Sequence, residues 1–165
     1  MIKLIKKRNP LTNLNELFDD VKLIQERYGD KIYKLTLNKD KSIGKLKLKK
    51  GDYIYKEFEY DLRKGIKEYI YFLSDNELIP KIFYIGDNYF IQEYFKSVPL
   101  KYLIKSLSKS EKISIYNKIE KLLNIWHDFK IGHGDLHTGN IIIDTFNNVY
   151  LIDPSIFPNL DEFEG

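Results

Sequence analysis

Hydrophobic and polar residues recur along this chain with two different periods, and the switches between them mark out its elements. Lys31 to Leu37 and Ile43 to Leu48 alternate with a period of two, as half-buried strands do, and Asn38-Lys39-Asp40-Lys41-Ser42 supplies a turn between them. Tyr53-Ile54-Tyr55-Lys56-Glu57-Phe58 alternates in the same way. The period then lengthens: Leu62, Ile66, Tyr69, Ile70 and Leu73 fall at helical spacing until Ser74-Asp75-Asn76 breaks the pattern. Two further apolar runs, Lys81 to Ile85 and Tyr89 to Phe95, flank Gly86-Asp87-Asn88, a strong hairpin signal. Ahead of all these, Asn13 with Glu16 opens a predicted helix whose Leu14, Leu17, Phe18, Val21 and Ile24 share one face and which Gly29 ends.

The second half begins with a short helix predicted over Leu100 to Leu107. Ser108-Lys109-Ser110-Glu111 reads as a capping box opening a longer helix, with Ile115, Tyr116, Ile119, Leu122, Leu123 and Trp126 as its buried stripe and Gly132 as its stop. Trp126 belongs to the core rather than to a ligand contact. Two β-branched or apolar runs, Ile141 to Ile143 and Val149 to Ile152, are joined by the turn-rich Asp144-Thr145-Phe146-Asn147-Asn148, so a second hairpin is expected, with Asp144 serving the turn.

Between the long helix and that hairpin lies His133-Gly134-Asp135-Leu136-His137-Thr138-Gly139-Asn140, and the hairpin runs out into Ile152-Asp153-Pro154. One acid and one amide thus sit on a tight loop, and a second acid sits at the end of the next strand pair. Phosphoryl transfer asks little covalent chemistry of a protein, which must position an acceptor hydroxyl and neutralise charge with metal ions. Asp135 would face the hydroxyl. Asn140 offers an amide oxygen to a hard cation, and Asp153 a carboxylate that bridges metal to phosphate. The hairpin's open end would bring Asn140 and Asp153 together.

These motifs resemble the catalytic and metal loops of the protein-kinase-like superfamily, in the branch of aminoglycoside and choline phosphotransferases. The resemblance implies an α+β, two-lobed protein-kinase-like fold: residues 1–95 as an N-lobe with an N-terminal helix, an antiparallel sheet and one helix after the third strand, and residues 96–165 as a reduced helical C-lobe carrying the catalytic loop and a β-hairpin. It implies ATP and Mg²⁺ as cofactors, with Asp135 catalytic and Asn140 and Asp153 on the metal. His133 would brace the backbone near the metal-binding acid, and His137 would be structural. Lys56 becomes the nucleotide lysine and Glu68 its helical partner, since Glu57 and Glu59 face away from Lys56 or crowd it. The strand through Ile91-Gln92-Glu93-Tyr94-Phe95 resembles the one leading into the hinge, so the backbone of Glu93, Tyr94 and Phe95 would meet an adenine edge. One departure from the protein kinases is plain. The turn expected to cover the phosphates has no glycine before Gly44, which argues against an ordinary eukaryotic protein kinase and leaves Ser42 or nearby amides to touch phosphate.

Composition narrows the partners. With 27 basic and 24 acidic residues the net charge is only +3, so there is no broad electrostatic case for nucleic acid. The richness in Lys, Ile, Asn and Tyr, with no alanine, suggests an AT-rich coding sequence and removes the need for a functional cause behind every lysine patch, the basic Met1 to Pro10 arm included. The absence of cysteine excludes disulfides and thiolate metal sites and agrees with a cytoplasmic location, while three histidines are too few and too scattered for zinc. No apolar run is long enough for a signal peptide or a transmembrane segment.

Only twelve residues follow Asp153, and Pro154, Ser155, Pro158 and Asp161-Glu162-Phe163-Glu164 read as an extended tail. The expectation is therefore a minimal core in which a protein partner, self-association or a large flat substrate completes the short C-lobe. The expected activity is transfer of a γ-phosphate from a nucleotide to an unknown hydroxyl acceptor, with a small molecule or sugar favoured. The alternatives are a compact RIO- or Bud-like serine/threonine protein kinase and a non-catalytic pseudokinase that serves as a binding module.

Overall fold

The computed structural model describes residues 10–27 and 29–154, in two compact units. The basic N-terminal arm before Pro10 and the acidic segment after Pro154 lie outside the described residues. The chain is mixed α+β, with antiparallel sheets and few helices. No helix among the described residues is long and apolar enough to cross a membrane.

The first unit runs through Tyr71 and takes in Lys81–Tyr94. It holds α1 (Pro10–Leu17), β1 (Asp20–Arg27), β2 (Asp30–Leu37), β3 (Lys41–Ile43), β4 (Leu46–Leu48), β5 (Gly51–Glu57), the first turns of α2 (Lys64–Asp75), β6 (Ile82–Ile85) and β7 (Tyr89–Glu93). Five strands form one antiparallel sheet in the order β1-β2-β5-β7-β6. Alternation along β2 and β5 sends Tyr33, Leu35, Leu37, Tyr53 and Tyr55 to one face, where they join Leu14 of α1, Phe18 just after it, Leu48 and Ile91 in the unit's core. Leu35 is fully buried, so cutting it to alanine should cost about 2–5 kcal/mol. Ile54 and Lys56 alternate onto the opposite face. The hairpin residue Asp87 fastens α2: its carbonyl accepts from Leu62 N at 2.6 Å, and its carboxylate lies 3.5 Å from Lys67 Nζ.

Three sequence-based expectations change here. The helix expected to end at Gly29 stops at Leu17, and Val21 and Ile24 lie in β1. Positions 14, 17, 18, 21 and 24 satisfy a helical period, but pairing with β2 along seven registered positions claims residues 20 to 27 for the sheet, and Ile24, skipped at a bulge in the pairing, is 48% exposed. The strand expected over Ile43 to Leu48 is broken at Gly44, whose φ of +60° turns the chain back so that β3 and β4 pair only with each other. Ser42 consequently faces Lys47 in that small hairpin and does not lie between the first two strands of the main sheet, which are β1 and β2. With the small hairpin set aside, Lys56 is on the third strand of the sheet in chain order, and α2 follows it.

The second unit consists of Phe72–Pro80 and the described residues from Phe95 on. Its elements are the end of α2, β8 (Ser97–Pro99), α3 (Leu100–Leu103), α4 (Lys109–Asp128), a 3₁₀ turn (Thr138–Asn140), β9 (Ile141–Asp144) and β10 (Val149–Leu151). The capping box forms as read: Ser108 Oγ accepts from Glu111 N at 3.2 Å and Glu111 Oε1 accepts from Ser108 N at 3.1 Å. The short helix expected to reach Leu107 is a single turn ending at Leu103. Of the expected α4 stripe, Ile115 and Trp126 are buried, Ile119, Leu122 and Leu123 are half-buried and Tyr116 is exposed. Lys130, not Gly132, ends α4, taking a left-handed φ of +59°. The amides of Lys130 and Ile131 then reach back to the carbonyls of His127 and Trp126 at 2.8 and 3.3 Å, a Schellman turn. The hairpin forms as expected, and β8, which no periodicity announces in three residues ending in proline, adds a third strand through Val98 opposite Ile143.

Candidate active site

The loop that follows α4 is organised by a buried histidine. His133 is 3% exposed and packs its ring 5.3 Å from that of Trp126. Burial depresses its pKa, opposed by the carbonyl of Ile152 and the nearby carboxylates, so the ring is neutral at pH 7. Its Nδ1 accepts the backbone N–H of Asp135 at 3.3 Å, which leaves Nε2 as the protonated nitrogen donating to the carbonyl of Ile152 at 2.7 Å. One imidazole thereby joins the acid of the loop to the residue before the acid after the hairpin.

Asn140 joins the same two segments by a second route. It is 7% exposed, and its Nδ2 donates to the backbone carbonyl of Asp135 at 2.9 Å and to Asp135 Oδ2 at 3.2 Å. Its own carbonyl accepts from Ile152 N at 2.9 Å, one step beyond the Leu151–Ile141 pair that closes the sheet. Since the amide nitrogen is committed to Asp135, the amide oxygen points the other way and stays available to a hard cation. Asp153 is exposed and follows directly on Ile152, both of whose peptide groups are engaged. It holds a φ of +50°, a left-handed conformation that an aspartate tolerates at a cost of about 1–2 kcal/mol. Asn140 and Asp153 offer only oxygen donors, the chemistry that suits Mg²⁺, and as a pair they would leave most of its coordination to water and phosphate. Among the described residues no cluster of three or more His, Cys, Asp or Glu is placed to hold a metal.

His137 stands at the exposed edge of the loop. Its Nδ1 accepts from Gly139 N at 3.1 Å and caps the 3₁₀ turn, and its Nε2 lies 3.8 Å from Asp135 Oδ2. Gly139 makes room for this packing: a Cβ there would lie 2.8 Å from the imidazole Cε1, so the ring would have to shift.

In the first unit Lys56 sits mid-strand between Ile32 and Phe90, with its Nζ 5.0 Å from the centre of the Phe58 ring. Glu68 is exposed on α2, where its carboxylate meets Lys64 at 3.8 Å, one turn back on the same helix. Glu93 ends β7 with its N–H donated to the carbonyl of Lys81 at 2.8 Å, so that amide is already committed. The Tyr94 ring lies 4.7 Å beneath Lys34 Nζ. Phe95, in the second unit, stacks on Tyr150 at 4.3 Å and 15°.

Sequence reading missed the backbone groups of Ile152 and Asn140 and the void at Gly139. The first are implicit in the hairpin register, since a ladder extended past Leu151 must pair the next residue with Asn140. The second is signalled only by a glycine two places after a histidine. The chain matches no protein-family model and no curated protein.

Proposed function

We propose that the protein is an ATP- and Mg²⁺-dependent phosphotransferase of the kinase-like type, acting on a hydroxyl group in the cytoplasm. The observation that carries this reading is the double tie between the two acid-bearing segments, through the His133 imidazole and the Asn140–Ile152 hydrogen bond. Two buried polar side chains, His133 and Asn140, are used to hold an exposed carboxylate, an amide oxygen and a second exposed carboxylate in fixed order. A merely structural turn has no need of that arrangement. The order of the five-stranded sheet, with α2 following its third strand, also agrees with a kinase-like N-lobe.

In this reading Asp135 takes the proton of the acceptor hydroxyl as its oxygen bonds to the γ-phosphorus. The bond from that phosphorus to the bridging oxygen breaks, and ADP leaves with the electron pair. Asn140 and Asp153 hold the metal, which supplies charge neutralisation at the phosphates when bound. Lys56 and Glu68 would serve the nucleotide phosphates and, the Glu93 N–H being bonded to Lys81, the backbone of Tyr94 and Phe95 would serve the base. A small-molecule or sugar hydroxyl is the favoured acceptor.

The test is a thermal-shift titration with ATP, with and without Mg²⁺, beside release of labelled phosphate. Metal-dependent stabilisation with turnover that Asp135→Asn abolishes is the expected result. Absence of any metal-dependent response to ATP overturns the reading.

A further inference from the structure

We propose that His137 is a positioning residue for Asp135, presenting a protonated nitrogen to one carboxylate oxygen and so reserving the other for the acceptor's proton. The inference rests on the phosphotransfer reading of this loop and assigns a role within it.

Four observations carry it. The lone pair of Nδ1 is occupied by the N–H of Gly139 at 3.1 Å, so in the neutral ring the proton must sit on Nε2. That nitrogen lies 3.8 Å from Asp135 Oδ2, beyond a direct hydrogen bond and within reach of a bridging water or a small rotation of two exposed side chains. Asn140 Nδ2 already donates to the same oxygen at 3.2 Å, and no described contact reaches Oδ1. The ring's place is built: it occupies the volume a side chain at position 139 would need, with Cε1 at 2.8 Å and Nδ1 at 2.9 Å from the Cβ that glycine lacks.

A cap alone would be served as well by asparagine or serine, whose single oxygen accepts from the same amide. What imidazole adds is a donor on its far side. With Asn140 bonded to Oδ2 and the imidazole donor close to the same oxygen, rotation of the carboxylate would be opposed and Oδ1 left for the acceptor.

Two substitutions separate the roles of the two nitrogens. In His137→Asn the side-chain oxygen keeps the cap and the donor is lost. In His137→Gln the longer amide reaches Asp135 and the cap is lost. The acceptor being unidentified, the full-length chain is assayed with MgATP and water as acceptor, by release of inorganic phosphate, while ¹⁵N correlation spectra of the imidazoles report the tautomer. Expected are an Nε2–H tautomer for His137, a kcat about tenfold lower in His137→Asn with KM for ATP unchanged, and recovery to within about threefold in His137→Gln. An Nδ1–H tautomer, or full activity in His137→Asn beside loss in His137→Gln, overturns the positioning role while leaving the phosphotransfer reading intact. A wild-type protein that neither binds nor turns over MgATP overturns both.

Discussion

The Nε2 of His133 lies 2.7 Å from the carbonyl oxygen of Ile152, and this bond fixes where Asp153 begins. The ring is buried and its pKa is depressed by desolvation; a proton gained on Nδ1 would leave the Nε2–H bond in place, break the bond that Nδ1 accepts from the Asp135 amide, and put a charge in the core.

The pH dependence of stability follows from that. A histidine whose folded pKa is depressed binds fewer protons folded than unfolded, so stability is fully present above the unfolded pKa near 6.5 and falls as pH drops through it toward the folded value. His133→Gln should cost about 1–3 kcal/mol at pH 7.5 and flatten the slope below pH 6.5. Chemical denaturation at several pH values measures both. Trp126, the single tryptophan, is fully buried with its ring 5.3 Å from that of His133, so its fluorescence provides a local report of the same titration. An unchanged slope in the variant would assign the pH dependence elsewhere.

Asp153→Asn separates metal binding from folding. Asparagine tolerates the left-handed φ of +50° as well as aspartate does, so the change adds no backbone strain and the melting temperature of the free protein should move far less than in Asp153→Val. The stabilisation that Mg²⁺ adds to ATP binding should fall at least about tenfold in apparent affinity. Asp153→Val, β-branched at the same φ, should destabilise the fold itself.

Asp144 organises the hairpin between Asn140 and Asp153, the two residues proposed to hold the metal. Its Oδ1 accepts from Phe146 N and Asn148 N at 2.9 and 2.8 Å, and its Oδ2 from Asn148 Nδ2 and Tyr150 Oη at 3.0 and 3.2 Å. Desolvation pushes its pKa up, but those four hydrogen bonds outweigh it and hold the carboxyl below the usual range. The turn is therefore secure above pH 3.8 and loosens as pH falls through the lower folded value. Asp144→Ala should speed amide exchange at Phe146 and Asn148 at least about tenfold, measured by NMR, with little change at the helix cap of Ser108.

Gly139→Ala tests the packing of His137. The added methyl would lie 2.8 Å from the ring's Cε1, and the imidazole, being exposed, can swing away at small cost in stability, below about 1 kcal/mol. The same movement removes Nε2 from Asp135, so turnover should fall by about as much as in His137→Asn. Wild-type turnover with an unchanged His137 tautomer would show that the backbone yields instead.

Much of this architecture is legible one segment at a time. Ser108 to Glu111 encodes its own cap, and Gly86-Asp87-Asn88 and Asp144 to Asn148 encode their own turns, because each of these depends on groups within a few residues of one another. Pairing over distance is another matter. Leu14 to Ile24 carries a helical period that β2 overrides, Ile43 to Leu48 alternates as one strand yet folds back on itself, and Glu68 meets Lys64 on its own helix. The free energy that decides such cases comes from hydrogen-bond ladders and buried area contributed by remote segments, and no local pattern contains it. The side chains that define the loop could thus be named from their spacing, whereas the bonds that hold them in place, from His133 to Ile152 and from Asn140 to Asp135, exist only once the hairpin register has brought distant backbone within reach.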